Sequence, residues 1–127
     1  MTYEDLIKLT SNFNLILTEK TVSQIDQYLD MVVEANKTMN LTSIDEKGEM
    51  IEKHVFDSLL CAKLTSFDGK TLLDVGTGAG FPGVILAIAF PTLKVTLVDA
   101  TKKKTLFLEK VVENLHLKNN LSSKKEN

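Results

Sequence analysis

Two hydrophobic rhythms divide the chain. From Tyr3 to Leu17, Leu6, Leu9, Phe13 and Ile16 recur at helical spacing, which predicts a first short helix with one apolar stripe. Val22, Ile25, Leu29 and Val32 repeat the spacing and predict a second, longer helix, N-capped by Thr18 and ending at about Asn36. Asn40-Leu41-Thr42-Ser43 breaks the pattern with side chains that bond their own backbone, and reads as an ordered loop. A third helix is predicted from Gly48 to Leu64, with His54, Asp57 and Ser58 on one face.

After the turn TSFDGK (65–70) the rhythm changes. Thr71 to Val75 reads as a strand, followed by glycines at 76, 78, 80 and 83 and then an apolar helical run that Pro91 ends. Lys94 to Val98 is short and β-branched and reads as a second strand, closed by Asp99. Thr101 can cap a last helix carrying Leu106, Phe107, Val111 and Leu115. Strand, helix, strand, helix implies parallel pairing with a right-handed crossover. The residues from Asn119, NNLSSKKEN, are almost without apolar side chains and are predicted to be disordered. This gives a helical cap over 1–66, an α/β part over 67–118 and a tail over 119–127.

Composition narrows the setting. A chain of 127 residues, 43% hydrophobic and 25% charged, has room for one domain with a modest core. The single cysteine, Cys61, cannot form an internal disulfide, which points to a reducing compartment. No apolar run is long enough to span a bilayer, and the acidic start MTYEDLIKL lacks the basic residues of a secretory signal. The expectation is a cytoplasmic monomer without a membrane role. With a formal net charge of −2, any nucleic-acid binding must use a local basic patch.

The glycine loop carries the candidate chemistry, and two ligand classes compete for it. Gly78, Gly80 and Gly83 fit G-x-G-x-x-G, with Asp99 placed as a dinucleotide's ribose-binding acid would be. Gly76-Thr77-Gly78-Ala79-Gly80 after Leu-Leu-Asp-Val fits equally the loop that holds S-adenosylmethionine in class I methyltransferases. The phosphate discriminates. A pyrophosphate needs free N–H groups at the helix N-terminus, and Pro82 removes one. Asp74 adds a carboxylate that repels a pyrophosphate but suits the amino-acid end of a cationic sulfonium ligand. S-adenosyl-L-methionine is therefore the better reading, with Gly76 and Gly78 passing beside its methionine part, Phe81 lining the pocket and Asp99 taking the ribose hydroxyls.

With its surroundings, the loop resembles the RsmG (GidB) family of bacterial small-subunit ribosomal RNA guanine-N7 methyltransferases. The resemblance is carried by MNLTSI (39–44), KHVFDSLL (53–60), LLDVGTGAGFPGVILAIAFP (72–91), VTLVDATKKKTLFL (95–108) and NLHLKN (114–119). It implies an α/β fold: an N-terminal helical cap followed by the first half (β-α-β-α) of a Rossmann-like class I methyltransferase domain. It also implies donor binding by Gly76 and Phe81, with Asp99 as the matching acid, and places Asn40, Thr42, His54, Asp57 and Ser58 at motif positions. Asn40 and His54, with Lys102, Lys103 and Lys104 at the start of the last helix, are the candidate contacts to small-subunit ribosomal RNA. Guanine N7 carries no proton at neutral pH, so no catalytic acid or base and no metal is expected.

The family pattern has an aromatic residue near Ala35 and a lysine–arginine pair near Lys103 and Lys104, which this chain lacks. It also leads to the expectation that the third strand is missing and the pattern lost beyond Asn119, as in a C-terminally truncated copy. Two other readings stand beside the enzyme: an inactive fragment or accessory RNA-binding module, and an NAD-binding oxidoreductase fragment.

Overall fold

The computed structural model describes residues 1–126. Helix α1 (Tyr3–Ser11) begins at a capping box: the Thr2 hydroxyl accepts from the Asp5 amide and the Asp5 carboxylate accepts from the Thr2 amide, both at 3.1 Å. The helix ends short of the predicted Leu17, because the chain turns back through Asn14, whose φ is 66°. The predicted stripe shrinks accordingly: Leu6 is buried, while Leu9 and Ile16 are 36% and 73% exposed.

Helix α2 (Glu19–Met39) starts where predicted, with the Thr18 hydroxyl accepting from the Thr21 amide, and buries Ile25, Tyr28, Leu29 and Val32. It runs past Asn36 to Met39. Asn40 closes it in the left-handed conformation (φ 50°, ψ 50°), one that asparagine tolerates better than most residues.

The third predicted helix is irregular. The Glu46 carboxylate accepts from the Gly48 and Glu49 amides, both at 2.8 Å, and opens α3 (Lys47–Met50). The turns then widen to π-helical geometry over Ile51–Phe56, return to α4 (Asp57–Leu59) and tighten to a 3-10 segment, Leu60–Lys63. The Lys47 ammonium reaches both Asp26 and Asp30, and the Tyr3 hydroxyl donates to Asp26, so α1, α2 and α3 are tied together at one end.

The α/β part follows as β1 (Thr71–Val75), α5 (Gly83–Ala89), β2 (Lys94–Asp99), α6 (Lys102–Asn114) and β3 (Leu121–Lys125). The sheet is wholly parallel in the order β1-β2-β3, with Leu73 opposite Thr96 and Thr96 opposite Ser122. The third strand corrects the expectation of a disordered tail and a missing strand. Leu121 is 2% exposed, and the buried Asn120 amide donates to the Ala87 carbonyl at 2.9 Å, anchoring β3 against α5. Only Asn127 of the predicted tail lies outside the described residues.

Two crossovers in the same direction place α5 and α6 on one face of the sheet, over Val95, Leu97 and Leu121. Helix α2 packs outside both, and one hydrophobic core runs from Leu6 to Leu121 across the boundary expected at 66/67. Among the described residues no helix is long and apolar enough to cross a membrane.

Candidate functional site

At the carboxyl ends of β1 and β2 the glycine loop meets Asp99. The Gly76 amide donates to the Val98 carbonyl at 2.7 Å, so the loop begins as an extension of the β1–β2 ladder. Gly76 and Gly78 then take left-handed φ values of 70° and 60°, and a Cβ on either would meet nothing within 4 Å. Their backbone therefore borders open space, as a loop that lets a ligand approach closely must. The Gly78 amide donates to Asp99 Oδ2 at 3.0 Å, and the Thr101 amide to Asp99 Oδ1 at 2.9 Å. Burial pushes the Asp99 carboxyl up, but these two amides and the Lys104 charge outweigh it and hold the group below the usual carboxylate range. An ionised carboxylate has about four acceptor positions, so two amides leave room for further hydroxyl donors.

Asp74 faces the protein. Its Oδ2 accepts from the Thr77 hydroxyl at 2.9 Å and from the Gly83 amide at 3.0 Å, fixing the loop to the start of α5. Two further early amides of that helix are also engaged: Val84 donates to the Gly80 carbonyl and Leu86 to the Pro82 carbonyl. With Pro82 as the N-cap, the Gly83, Val84 and Leu86 amides all bond within the protein, which does not fit a pyrophosphate site.

The GidB family, described as rRNA small subunit methyltransferase G, matches residues 21–125. The chain belongs to this family. It is 46% identical over 122 residues to the "Ribosomal RNA small subunit methyltransferase G" of Leuconostoc citreum, covering 94% of this chain and 51% of that protein. The protein of the same name in Leuconostoc mesenteroides is 47% identical over 121 residues, covering 92% and 50%, and that of Lachnoclostridium phytofermentans 47% over 104 residues, covering 81% and 43%. The chain spans about half the length of the curated relatives it matches. The match to residue 125 also corrects the expectation that the family pattern stops at Asn119.

In this GidB chain Phe81 points toward the helical cap. It stacks on His54 with ring centroids 4.3 Å apart at 15°, and meets the Tyr28 ring at 5.4 Å and 58°. Together with Lys53, Asp57, Ser58, Cys61 and Pro82 the pair lines an open cleft of about 250 Å³. His54 belongs to the π-helical turn, and its Nε2 lies 2.9 Å from the Thr42 hydroxyl, which in turn accepts from the Ile44 amide. Thr42, His54 and Phe81 thus connect the MNLTSI loop to the glycine loop, while Ser58 donates back to the His54 carbonyl at 2.6 Å.

Asn40 is exposed at the end of α2, where its backbone conformation already accounts for the residue type. Lys102 and Lys103 are exposed on the first turn of α6, and Lys104 sits close enough to Asp99 to lower its pKa. Sequence reasoning overlooked Tyr28, whose buried hydroxyl donates to the Ala79 carbonyl at 2.6 Å and fixes the loop from the cap side. Its position three after Ile25, on the apolar stripe, was the available signal. Thr77, between two glycines, was the other residue overlooked.

His54 gives a pH test of this connection. Burial lowers its pKa below 6.5, and the Asp57 charge offsets this only in part. The folded state therefore binds a proton less readily than the unfolded chain. The stability due to neutral His54 is complete above about pH 6.5 and is lost as pH falls through the folded value. Thermal melts from pH 7.5 to 5.5 should show a falling Tm for the parent protein and a flatter profile for His54→Phe, which keeps the stack on Phe81. Parallel profiles would show that His54 does not titrate with folding.

Proposed function

We propose that this chain provides the donor-binding half of an S-adenosylmethionine-dependent methyltransferase that modifies small-subunit ribosomal RNA at guanine N7. The observation that carries the reading is the pairing of open, left-handed Gly76 and Gly78 with an ionised Asp99, beside a helix whose first amide is capped by Asp74. The Gly76–Gly78 backbone borders the methionine part of the donor, and Asp99 accepts from the ribose hydroxyls. Asp74 acts by fixing the loop. Phe81, held by His54 and Tyr28, forms the side of the site next to the cap.

When bound, S-adenosylmethionine supplies a methyl group on a cationic sulfonium, which the N7 lone pair of a guanine accepts without a general base. The protein's contribution is alignment and exclusion of water rather than proton transfer. The names of the relatives support ribosomal RNA as the substrate. The unpaired guanine edge must be accessible, since the deep major groove of an RNA helix hides N7.

Titration calorimetry with S-adenosylhomocysteine tests donor binding. Saturable binding is expected, whereas no heat at about 1 mM ligand, the range of a weak site, would remove the reading. Preferential binding of NADH would favour the oxidoreductase alternative instead.

Lys102, Lys103 and Lys104 are proposed to contact RNA phosphate, with Asn40 and His54 nearer the base. Cations at a helix N-terminus oppose the helix dipole, and a phosphate there relieves that conflict. Changing each lysine to glutamate should weaken RNA binding and lower the slope of log K against log salt by about 0.7 to 0.9 per lost contact. An unchanged slope would place the RNA elsewhere.

A further inference from the structure

Between helices α2 and α6 runs an open groove of about 720 Å³ that lies apart from the cleft at Phe81. Its floor is apolar, formed by Met31, Ala35 and Met39 from α2 and by Leu106 and Phe107 from α6. The three α2 residues recur every fourth position, so a small side chain sits between two long ones on the same face. Leu106 is 48% exposed along the other side.

The two walls differ in charge balance. On the α2 side Glu34 is paired with Lys37 at 2.9 Å and Asp30 with Lys47, so both carboxylates are compensated. On the α6 side Lys103 and Lys110 flank Leu106, and among the described residues neither forms an ion pair. The groove therefore has an unmatched positive wall beside an apolar floor. Its complement is an anion that carries a flat apolar group. Seven residues of helix separate the two ammonium groups by about 10 Å along the axis, which suits successive phosphates of an extended strand better than one isolated anion.

The place of the groove in the fold selects the strand. Lys103 belongs both to this wall and to the lysine run beside Asp99, and the α2 end of the groove, at Thr38 and Met39, adjoins Asn40. The groove thus continues the surface on which Asn40 and Lys102 to Lys104 are proposed to meet RNA. We propose that it holds an unpaired base flanking the target nucleotide, laid on Met31, Ala35, Met39 and Leu106, with Lys103 and Lys110 on the adjoining phosphates. Every base has an apolar face, so such a subsite positions the strand without reading its sequence. The inference rests on the RNA reading above, and the test separates the two.

That test is fluorescence anisotropy with two labelled probes: an unstructured single-stranded RNA of about 12 nucleotides, and the same backbone without bases. Ala35→Trp fills the groove. It should weaken RNA binding roughly 10-fold, the scale of one lost stacking contact, at an unchanged salt slope, and leave the base-free probe bound as in the parent. Leu106→Asn removes part of the floor at an exposed position and should act in the same direction, which keeps the test valid if circular dichroism shows that the tryptophan disturbs the fold. Lys110→Gln should lower the slope of log K against log salt by about 0.7 with either probe, whereas Lys20→Gln, the same charge change on the first turn of α2, should not. RNA binding that falls with Lys102→Glu but ignores Ala35→Trp and Leu106→Asn would overturn the groove and leave the RNA reading intact. Equal losses on the two probes would also overturn it, because the base would then have no part. No RNA binding at all would remove both. Tighter binding of an acidic, leucine-rich peptide, blocked by Ala35→Trp, would assign the groove to a protein instead.

Discussion

Alanine at Gly80 is expected to lower the unfolding free energy by about 3 kcal/mol, the combined scale of an overpacked core and a forced left-handed residue. Gly80 has a φ of 109°, and an added Cβ would lie 2.6 Å from Val84 Cγ2, 2.8 Å from the Tyr28 hydroxyl and 3.1 Å from Leu108 Cδ2. None of the three can retreat cheaply. Tyr28 is held by its bond to the Ala79 carbonyl, and Val84 and Leu108 are buried in the core. A small domain has only about 5–15 kcal/mol of stability, so the variant should melt far earlier. Urea unfolding would read this as a lower midpoint at unchanged slope. Gly69→Ala is the control: its φ is 66° but nothing lies within 4 Å, so it carries the backbone cost alone. If the two variants lost equal stability, the close packing of the loop against α2 and α6 would be wrong.

That contrast between glycines was invisible in the sequence, where Gly69, Gly76, Gly78 and Gly80 look alike. What could be read locally was the pair of strands, because TLLDV and KVTLVD are short apolar runs bounded by turn residues. The strand β3 could not be read so. LSSKK has one apolar side chain, and its order comes from distant partners: main-chain bonds to β2, and Asn120 on the Ala87 carbonyl. The irregular third helix was hidden for a similar reason, since its apolar spacing does not record a widened turn.

Within the site, Gly76, Gly78 and Asp99 could be placed together because strand-end geometry follows from the βαβ order. Phe81 could not. Its direction is set by the His54 ring, contributed by the cap. The sequence aims Asp74 at a ligand, yet its Oδ2 faces Thr77 and Gly83. A carboxylate after a strand has both uses, and only packing against α5 decides between them. That same contact engages the first amide of the helix, which disfavours a pyrophosphate there.

Replacing Asp99 should produce the largest loss of ligand affinity, and two substitutions separate its structural and binding roles. Asp99→Ala leaves the Gly78 and Thr101 amides without their acceptor, at a cost of about 2–3 kcal/mol for two such groups beside a 7%-exposed residue. Asp99→Asn retains one acceptor oxygen and should lose about half of that. If the carboxylate also receives the ribose hydroxyls, both variants should bind S-adenosylhomocysteine about 100-fold or more weakly, because charge-assisted bonds contribute about 1.5–3 kcal/mol each. Binding should therefore not follow stability across the pair. Calorimetric titration at a temperature where both variants remain folded measures the first quantity, and urea unfolding the second. An asparagine variant that binds like the parent would make Asp99 a clamp on Gly78 and the α6 cap, with no hand in holding the ligand. The low pKa of Asp99 adds a pH signature with a definite sign. Its stabilisation is complete above about pH 4, the unfolded aspartate value, and is lost as pH falls through the depressed folded value. The parent should therefore lose stability faster than Asp99→Asn below that pH, whereas the loss due to His54 begins already at about pH 6.5.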